Sequence, residues 1–369
     1  MTQALPPPFR WSRLLATMGP LLRVEGLLPL KVHIEPSGHE FDTVPGETLL
    51  EAALREGFHL PYSCRNGACG TCKGRILSGT VSHREYEAKA LSADEKAAGL
   101  ALFCRAVPEG PVVIEAREIG AARDIVIKVL PCRVARMEKL APDVMRLFLK
   151  LPQKERLQFL AGQYIDILLR DGKRRGFSLA NAPVDDEFLE LHIRHVPGGL
   201  FSGHVFETMT ERALLRFEGP LGTFFLREES TAPAILMAGG TGFAPMKAII
   251  EQALHGGSER PLHLYWGARS RVDLYLHDLA TGWAREYPHF HYTPVLSEPK
   301  ADDQWEGRTG YVHDAVASDW PRLDGHEVYA SGPPQMIASA RTLFAAQGLR
   351  EQDLYFDAFE YAKDPVPLS

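Results

Sequence analysis

The sequence predicts a tandem of three unlike domains: a small strand-rich domain over residues 30–120, an antiparallel barrel or sandwich over 125–228, and a parallel α/β domain over 232–369. Length is the first reason, because 369 residues exceed what one hydrophobic core organises well. Texture is the second. Short alternating segments punctuated by glycine give way to longer alternating strands, and these to apolar runs each followed by a helical pattern. The third is that no repeat or low-complexity tract appears, so the blocks are different folds and not copies of one.

Hydrophobic residues make up 45% and charged residues 24%, an ordinary globular balance that can fill such cores. The 41 Lys+Arg against 47 Asp+Glu leave a net charge of −6, so no basic field exists to hold nucleic acid or an anionic lipid surface. Charges or Gly/Pro interrupt every apolar run before the roughly 18–20 residues that span a bilayer. Residues 1–29 are rich in Pro, Leu and Arg, yet the stretch LLATMGPLL is broken at Gly19-Pro20 and no A-x-A-like cleavage pattern follows. They read as a poorly ordered extension, or as sequence upstream of a start at Met18. Five cysteines, an odd number with three between 64 and 72, do not resemble a secreted disulfide framework. Thiolates for a metal in a cytoplasmic protein are expected instead.

In the first block KVHIEP, HEFDTV, TVSHRE and VVIEAREI alternate as half-buried strands. Capping boxes open two helices, Thr48-Leu-Leu-Glu51 with Gly57 to close it and Ser92-Ala-Asp-Glu95 with Gly99 to close it. The second block reads as strands throughout: VIKVLPCRVARMEKL, VMRLFLKLP, QYIDILLRD, FLELHIRHV and ALLRFEGPLG. In the third, AILMAGG precedes APMKAIIEQALHGG, LHLYWGA precedes VDLYLHDLATGWAREY, and EVYASGP precedes PQMIASARTLFAAQG. Strand followed by helix, three times over, is the pattern of parallel βαβ units.

Cys64, Cys69 and Cys72 stand as C-x4-C-x2-C in SCRNGACGTCKG, and Cys104 follows after 31 intervening residues. A plant-type 2Fe-2S cluster needs four thiolates so spaced, three on one loop and the fourth brought in by the fold. Gly67 and Gly70 allow that loop to bend tightly and point backbone N–H groups at sulfur, while Arg65 and Asn66 add polarity beside it. The alternatives are a zinc site or buried structural thiols, but zinc sites pair two C-x2-C units or add His, and only one such unit occurs. Cys132 has no partner pattern and reads as a small buried hydrophobe.

In KRRGFSLANAP, Arg175, Phe177 and Ser178 form R-x-F-S, preceded by Tyr164 in GQY and followed by Val196-Pro-Gly198-Gly199-Leu-Phe-Ser202. The set offers a cation and hydroxyls for a pyrophosphate, an aromatic face for an isoalloxazine, and a Gly pair for close backbone approach. Further on, Gly239-Gly240-Thr241-Gly242 follows a strand and opens a helix with Pro245 in its first turn, a seat for anionic pyrophosphate. It is not the G-x-G-x-x-G fingerprint, and the next strand ends in Trp266-Gly267 without the acid that binds ribose. A standard Rossmann dehydrogenase is therefore the weaker reading.

In this order, over about residues 30 to 360, the three patterns resemble the ferredoxin-NADP reductase superfamily in the arrangement with an N-terminal plant-type ferredoxin domain, as in reductases of benzoate dioxygenase and methane monooxygenase. IEPSGHEF, VARMEKLAPDVMRLFLKLP, GQYIDILLRDGKRRGFSLANAP and FEGPLGTFFLRE are similar to strings of bacterial CDP-6-deoxy-delta-3,4-glucoseen reductases. The resemblance implies a β-grasp ferredoxin domain, an antiparallel β-barrel for FAD and a parallel α/β domain for NADH or NADPH. It carries flavin binding to Arg175, Phe177 and Ser178, flavin pyrophosphate to Gly198, Gly199 and Ser202, and the nicotinamide loop to Gly239 through Gly242. The family motif C-G-P-x-x-M reads Ser331-Gly332-Pro333-Pro334-Gln335-Met336 here, which sets Ser331 and Ser178 nearest the hydride. Phe177 replaces the more usual Tyr and loses a hydroxyl hydrogen bond to the flavin.

A nicotinamide gives up two electrons as hydride, a 2Fe-2S cluster passes one, and a flavin does both, so the implied route is NAD(P)H to FAD to 2Fe-2S to an external acceptor protein such as an oxygenase component. No nucleophile or acid/base pair is demanded. Arg269, Ser270 and Arg271 after WGA offer groups for a 2′-phosphate, while similar strings in NADH-using relatives favour NADH. Residues 31–122 hold three more acids than bases, enough for a transient charge-steered encounter of a monomer with its acceptor. Tyr355 to Phe359 pack either near the flavin or in the core. The competing functions are a glucoseen reductase working with a pyridoxamine-dependent partner, and a non-enzymatic redox sensor or carrier, which only Ser331 favours. A Ser331→Cys variant should change the rate of single-turnover flavin reduction; an unchanged rate would count against a place for Ser331 beside the nicotinamide.

Overall fold

The computed structural model describes residues 29–122 and 125–360. The extension expected over residues 1–29 lies outside them except for Pro29, as do residues 361–369.

The first sheet is built from β1 (Leu30–Glu35), β2 (His39–Thr43), β3 (Lys73–Ser78), β5 (Leu100–Leu102) and β7 (Val112–Glu115), in the order β2-β1-β7-β3-β5. A second small pair joins β4 (Val81–His83) to β6 (Ala106–Pro108). The helices α1 (Leu49–Arg55) and α2 (Ala93–Ala97) begin where the sequence places them. Thr48 Oγ1 accepts from the Glu51 N–H and the Glu51 carboxylate accepts from the Thr48 N–H, and Ser92 and Glu95 repeat the exchange. Helix α1 buries Leu49, Leu50, Ala52 and Ala53 against Val32, Ile34 and Phe41.

The barrel comprises β8 (Lys128–Ala141), β9 (Val144–Lys150), β10 (Tyr164–Leu168), β11 (Arg174–Ser178), β12 (Leu189–Arg194) and β13 (Leu214–Leu221), all antiparallel, in the order β11-β10-β13-β8-β9-β12. A bridge between Leu179 and Leu191 joins the two end strands, so no edge is left open there. Leu189, Leu191 and Ile193 fill the interior from β12. The short helix α3 (Leu200–Glu207) follows Gly199.

The third sheet is wholly parallel: β14 (Ala234–Gly239), β15 (Leu262–Ala268), β16 (Phe290–Leu296), β17 (Arg308–Thr309), β18 (Glu327–Gly332) and β19 (Leu354–Ala358), ordered β17-β16-β15-β14-β18-β19. Helices α4 (Phe243–His255), α5 (His277–Glu286), α6 (Val312–Asp319) and α7 (Pro334–Ala346) connect the strands. The strand order reverses direction between β14 and β18, whose C-terminal ends carry Gly239 and Gly332; ligands of open α/β sheets sit at such a switch. The helical pattern read from Val272 is corrected. A short 3-10 turn spans Arg271–Asp273, closed by Asp273 on Ser270, and the helix starts only at His277. Strand β16 escaped the sequence reading because Pro294 interrupts it.

Glycine is forced at Gly242, where a Cβ would overlap the Ser331 carbonyl oxygen. Gly242→Ala should lower stability by about 1–3 kcal/mol through overpacking. Gly282, in mid-α5 with nothing within 4 Å of its Cβ position, gives the opposite sign: Gly282→Ala should stabilise by up to ~1 kcal/mol. Urea denaturation of the two variants checks both signs.

Candidate active site: a thiol quartet, two joined cavities and a buried carboxylate

The loop between α1 and β3 turns through positive φ at Arg65 (57°), Gly67 (80°) and Gly70 (82°), and wraps the Cys64 sulfur in backbone N–H groups from Asn66, Ala68 and Cys69. At Gly67 a Cβ would stand 2.8 Å from Tyr86 and from Arg105, which explains glycine there. Cys64 is hydrogen-bonded to Cys69, and Cys72 to Cys104. The bond from Cys69 lowers the Cys64 thiol to about 6 against the cost of burial, helped by the three N–H groups. Cys69 and Cys72 are raised in turn, each first by its partner thiol and then by burial. Among the described residues no three His, Cys, Asp or Glu side chains converge on a single-ion site. Four thiols in two pairs, with N–H groups aimed at sulfur, fit a two-iron cluster instead. Cys132 lies apart in the barrel core, where burial pushes its thiol up to about 12.

This loop is seated on the barrel. The Tyr62 N–H donates to Thr223 Oγ1 (2.9 Å) and the Thr223 N–H to the Tyr62 carbonyl (3.1 Å). The Tyr164 hydroxyl donates to the Ser63 carbonyl (2.6 Å), and Arg65 reaches Asp166 (2.6 Å) and Glu218 (3.3 Å). Arg65 therefore docks the loop as well as standing beside its sulfurs. Above them, Asp357 of β19 accepts from Ser63 Oγ (2.6 Å) with one carboxylate oxygen and from Ser178 Oγ (3.2 Å) with the other. Burial raises this carboxyl while the two hydroxyls pull it down, leaving it above the usual range.

A cavity of about 860 Å³ opens beside this junction, within the size range of cofactor sites. It is lined by Cys64 and Cys104 of the cluster loop's domain and by Tyr164, Arg175, Phe177, Ser178, Gly199 and Ser202 of the barrel domain. The Phe177 ring leans on Phe201 at 5.3 Å. Gly198 supplies the turn (φ 75°) before the lining residues, and Ser202 Oγ accepts from the Val196 N–H (3.1 Å) and holds that turn. An aromatic wall, arginines and a helix start at Gly199 suit a planar ring carrying a pyrophosphate.

A second cavity of about 430 Å³ is lined by Gly239, Gly240, Thr241, Pro333 and Met336. Trp266 fixes its floor: the indole stacks on Phe243 (3.9 Å) and donates to the Gly240 carbonyl (2.9 Å). Arg194, Thr241 and Phe359 line both cavities, so the two meet there. Gly332, at φ 140° and packed on Gly239, accepts from the Phe359 N–H (2.9 Å) and so anchors the residue between the cavities. Gly242 packs beneath, against the Ser331 carbonyl. Ser331 itself is fully buried, its Oγ has no partner, and it lines neither cavity. The terminal aromatics divide: Phe359 reaches the cavities, while Tyr355 stacks on Tyr329 at 4.7 Å in the core.

Sequence reasoning passed over three residues. Asp273 lines the second cavity six residues after Gly267, on a turn and not at the strand end where a ribose-binding acid was sought. Arg194, in the motif next to Gly198, points to both cavities. Asp357 sits inside the aromatic run and only its partners reveal it.

Comparison with known proteins gives three domain matches: a 2Fe-2S iron-sulfur cluster binding domain over residues 32–109, an oxidoreductase FAD-binding domain over 131–226, and an oxidoreductase NAD-binding domain over 236–342. The chain is 39% identical to a CDP-6-deoxy-L-threo-D-glycero-4-hexulose-3-dehydrase reductase of Yersinia pestis, over 91% of this chain and 100% of that one. It is 36% identical to the reductase subunit of an aromatic O-demethylase of an Amycolatopsis species, over 88% of this chain and 98% of that one. In structure it matches an Amycolatopsis cytochrome P450 reductase with a TM-score of 0.74 at 35% identity, covering 89% of this chain and 98% of the other. The chain thus belongs to the iron-sulfur flavoprotein reductases, NAD(P)H-dependent oxidoreductases that join a 2Fe-2S ferredoxin domain to FAD-binding and NAD-binding domains in one polypeptide.

Proposed function

We propose that this reductase takes electrons from NADH and delivers them through its 2Fe-2S cluster to a separate protein, an oxygenase component or comparable one-electron acceptor. One observation carries this: the same cavity is lined by Cys64 and Cys104 and by Arg194, Thr241 and Phe359, and the last three also line the glycine-loop cavity. When bound there, FAD supplies the conversion of a two-electron hydride into single electrons.

The residues position and tune. Cys64, Cys69, Cys72 and Cys104 are the cluster ligands, with the N–H groups of the 64–69 loop stabilising charge on sulfur. Tyr164, Arg175, Phe177, Ser178, Gly199 and Ser202 hold the flavin, and Gly198 shapes the turn that presents the last two. Gly239, Gly240, Thr241 and Pro333 receive the dinucleotide; Gly242 and Gly332 permit the close packing beneath it. Ser331 influences the nicotinamide through that packing and not by direct contact.

NADH is favoured over NADPH by charge. Of the groups offered for a 2′-phosphate, Ser270 donates to Asp273 (3.0 Å) and Arg271 to the Asp303 carbonyl (3.2 Å). Arg269 is shared between Asp143 (3.7 Å) and Asp273 (3.8 Å). The Asp273 carboxylate in the cavity accepts ribose hydroxyls and repels a phosphate.

Residues 31–122 keep a small acidic excess for a transient encounter. No described helix is long and apolar enough to cross a membrane and none of the five cysteines is in a disulfide; the proposed setting is a cytoplasmic monomer. The relative from Yersinia supports a second reading, in which the acceptor is a deoxysugar dehydrase.

Anaerobic NADH should bleach both flavin and cluster absorbance, with NADPH at least about tenfold less effective. Bleaching by neither coenzyme removes the electron-transfer function. Asp273→Ala should narrow the NADH/NADPH ratio of kcat/KM; an unchanged ratio refutes its role. Cys104→Ser should abolish the reduced-cluster EPR signal while NADH still bleaches the flavin. Reconstitution with an aromatic-ring oxygenase and, separately, with a CDP-hexulose dehydrase decides the acceptor by which one sustains NADH oxidation.

A further inference from the structure

Strand β12 alternates two faces. Leu189, Leu191 and Ile193 point into the barrel, so Glu190, His192 and Arg194 leave it together on the outer face. That face is buried against the nucleotide domain: Glu190 is 4% and His192 5% exposed. Each side chain meets a different element. Glu190 accepts from Lys247 of α4 (3.2 Å), from His192 Nε2 (2.8 Å) and from Arg146 of β9 (3.1 Å). The other ring nitrogen of His192 bonds the Tyr275 hydroxyl (3.0 Å), and Tyr275 packs edge-on against Trp266, whose indole holds Gly240. Arg194 bonds Asp143 (2.9 Å) and lies against Gly240.

Lys247 is the crossing point. Only 4% exposed, it donates to Glu190, to Glu251 of its own helix (2.9 Å) and to the carbonyl of Ala180 (3.0 Å), two residues past Ser178. It therefore ties the helix that begins at the nicotinamide loop to the strand end that leaves the flavin motif. Burying an ammonium and a carboxylate costs free energy that a well-packed apolar pair would not, so stability alone does not account for them. Directed bonds do something apolar contact cannot: they fix one register between two surfaces that could otherwise slide.

We propose that Lys247 is a positioning residue for hydride transfer, setting the register of the nucleotide domain on the barrel through Ala180 and Glu190 and thereby the approach of the nicotinamide to the flavin. Burial opposes charge on Glu190, but His192, Lys247 and Arg146 hold its carboxyl down to about 2, so the stripe stays intact at neutral pH. Glu190 keeps Arg146 when Lys247 is removed, and Glu251 is made neutral in the double variant Lys247→Met/Glu251→Gln, so no buried charge is stranded.

The proposal rests on the electron route assigned above. In the holoenzyme, that double variant should retain flavin and iron, but its limiting rate of flavin reduction in anaerobic stopped flow should fall about tenfold or more, as expected for a small misplacement of reacting groups. KM for NADH should change little. Amide hydrogen exchange of residues 179–181 should quicken, a readout independent of turnover. A wild-type limiting rate or wild-type exchange in the flavin- and iron-replete variant overturns the proposal. If the variant does not fold, Lys247→Arg, which keeps the charge but cannot place one ammonium on Ala180, Glu190 and Glu251 together, is read on flavin reduction and on exchange of residues 179–181; wild-type values there overturn it equally. Failure of the wild-type protein to be reduced by NADH would instead overturn the electron route.

Discussion

Asp357 is one carboxylate shared by three domains. It projects from the last strand of the nucleotide domain, accepts the Ser63 hydroxyl on the residue before Cys64, and accepts the Ser178 hydroxyl at the end of the flavin motif. Buried carboxylates are tolerated only with such donors, and here each oxygen has one. The constraint works in both directions. The carboxylate requires both serines, and both serines are thereby drawn to one point on the wall of the large cavity, with the Tyr164 hydroxyl on the Ser63 carbonyl holding the same loop from the barrel side.

From that junction the remaining arrangement follows. The cluster loop cannot leave the barrel without breaking the Tyr62–Thr223 pair and the Arg65 fork on Asp166 and Glu218. The nucleotide domain is held a second time by the stripe Glu190, His192 and Arg194. The barrel is thus clamped between its two neighbours, and the cavities that run along both seams meet at Arg194, Thr241 and Phe359. Because the cofactors carry the chemistry, such positioning is what the polypeptide contributes, and the buried charges of Asp166, Glu190, Lys247 and Asp357 lie at these seams.

What the sequence made legible were the features whose constraint is local. Four thiols with fixed spacing, glycines at Gly67 and Gly70 where the loop turns left-handed, two capping boxes and the strand-to-glycine-loop step each declare themselves within a few residues. What stayed hidden depends on residues far apart in the chain. Ser63 and Asp357 are separated by 294 positions and Ala180 and Lys247 by 67, and nothing near Asp357 distinguishes its carboxylate from a surface one. Ser331 illustrates the converse. Its motif pointed to the nicotinamide, but the side chain is fully buried and it is the Ser331 carbonyl that packs on Gly242, so the backbone there shapes the site while the hydroxyl is enclosed.

The claim that Asp357 holds flavin strand and cluster loop in electron-transfer register is tested most directly in an Asp357→Ala holoenzyme. After rapid mixing with NADH, freeze-quench EPR follows the appearance of the reduced cluster while absorbance follows the flavin. With iron and flavin contents unchanged, the cluster signal should lag flavin reduction and form about tenfold or more slowly than in the parent protein, because both serines lose their common partner. A cluster signal that rises at the parent rate, in a protein that has lost that carboxylate, would contradict the account.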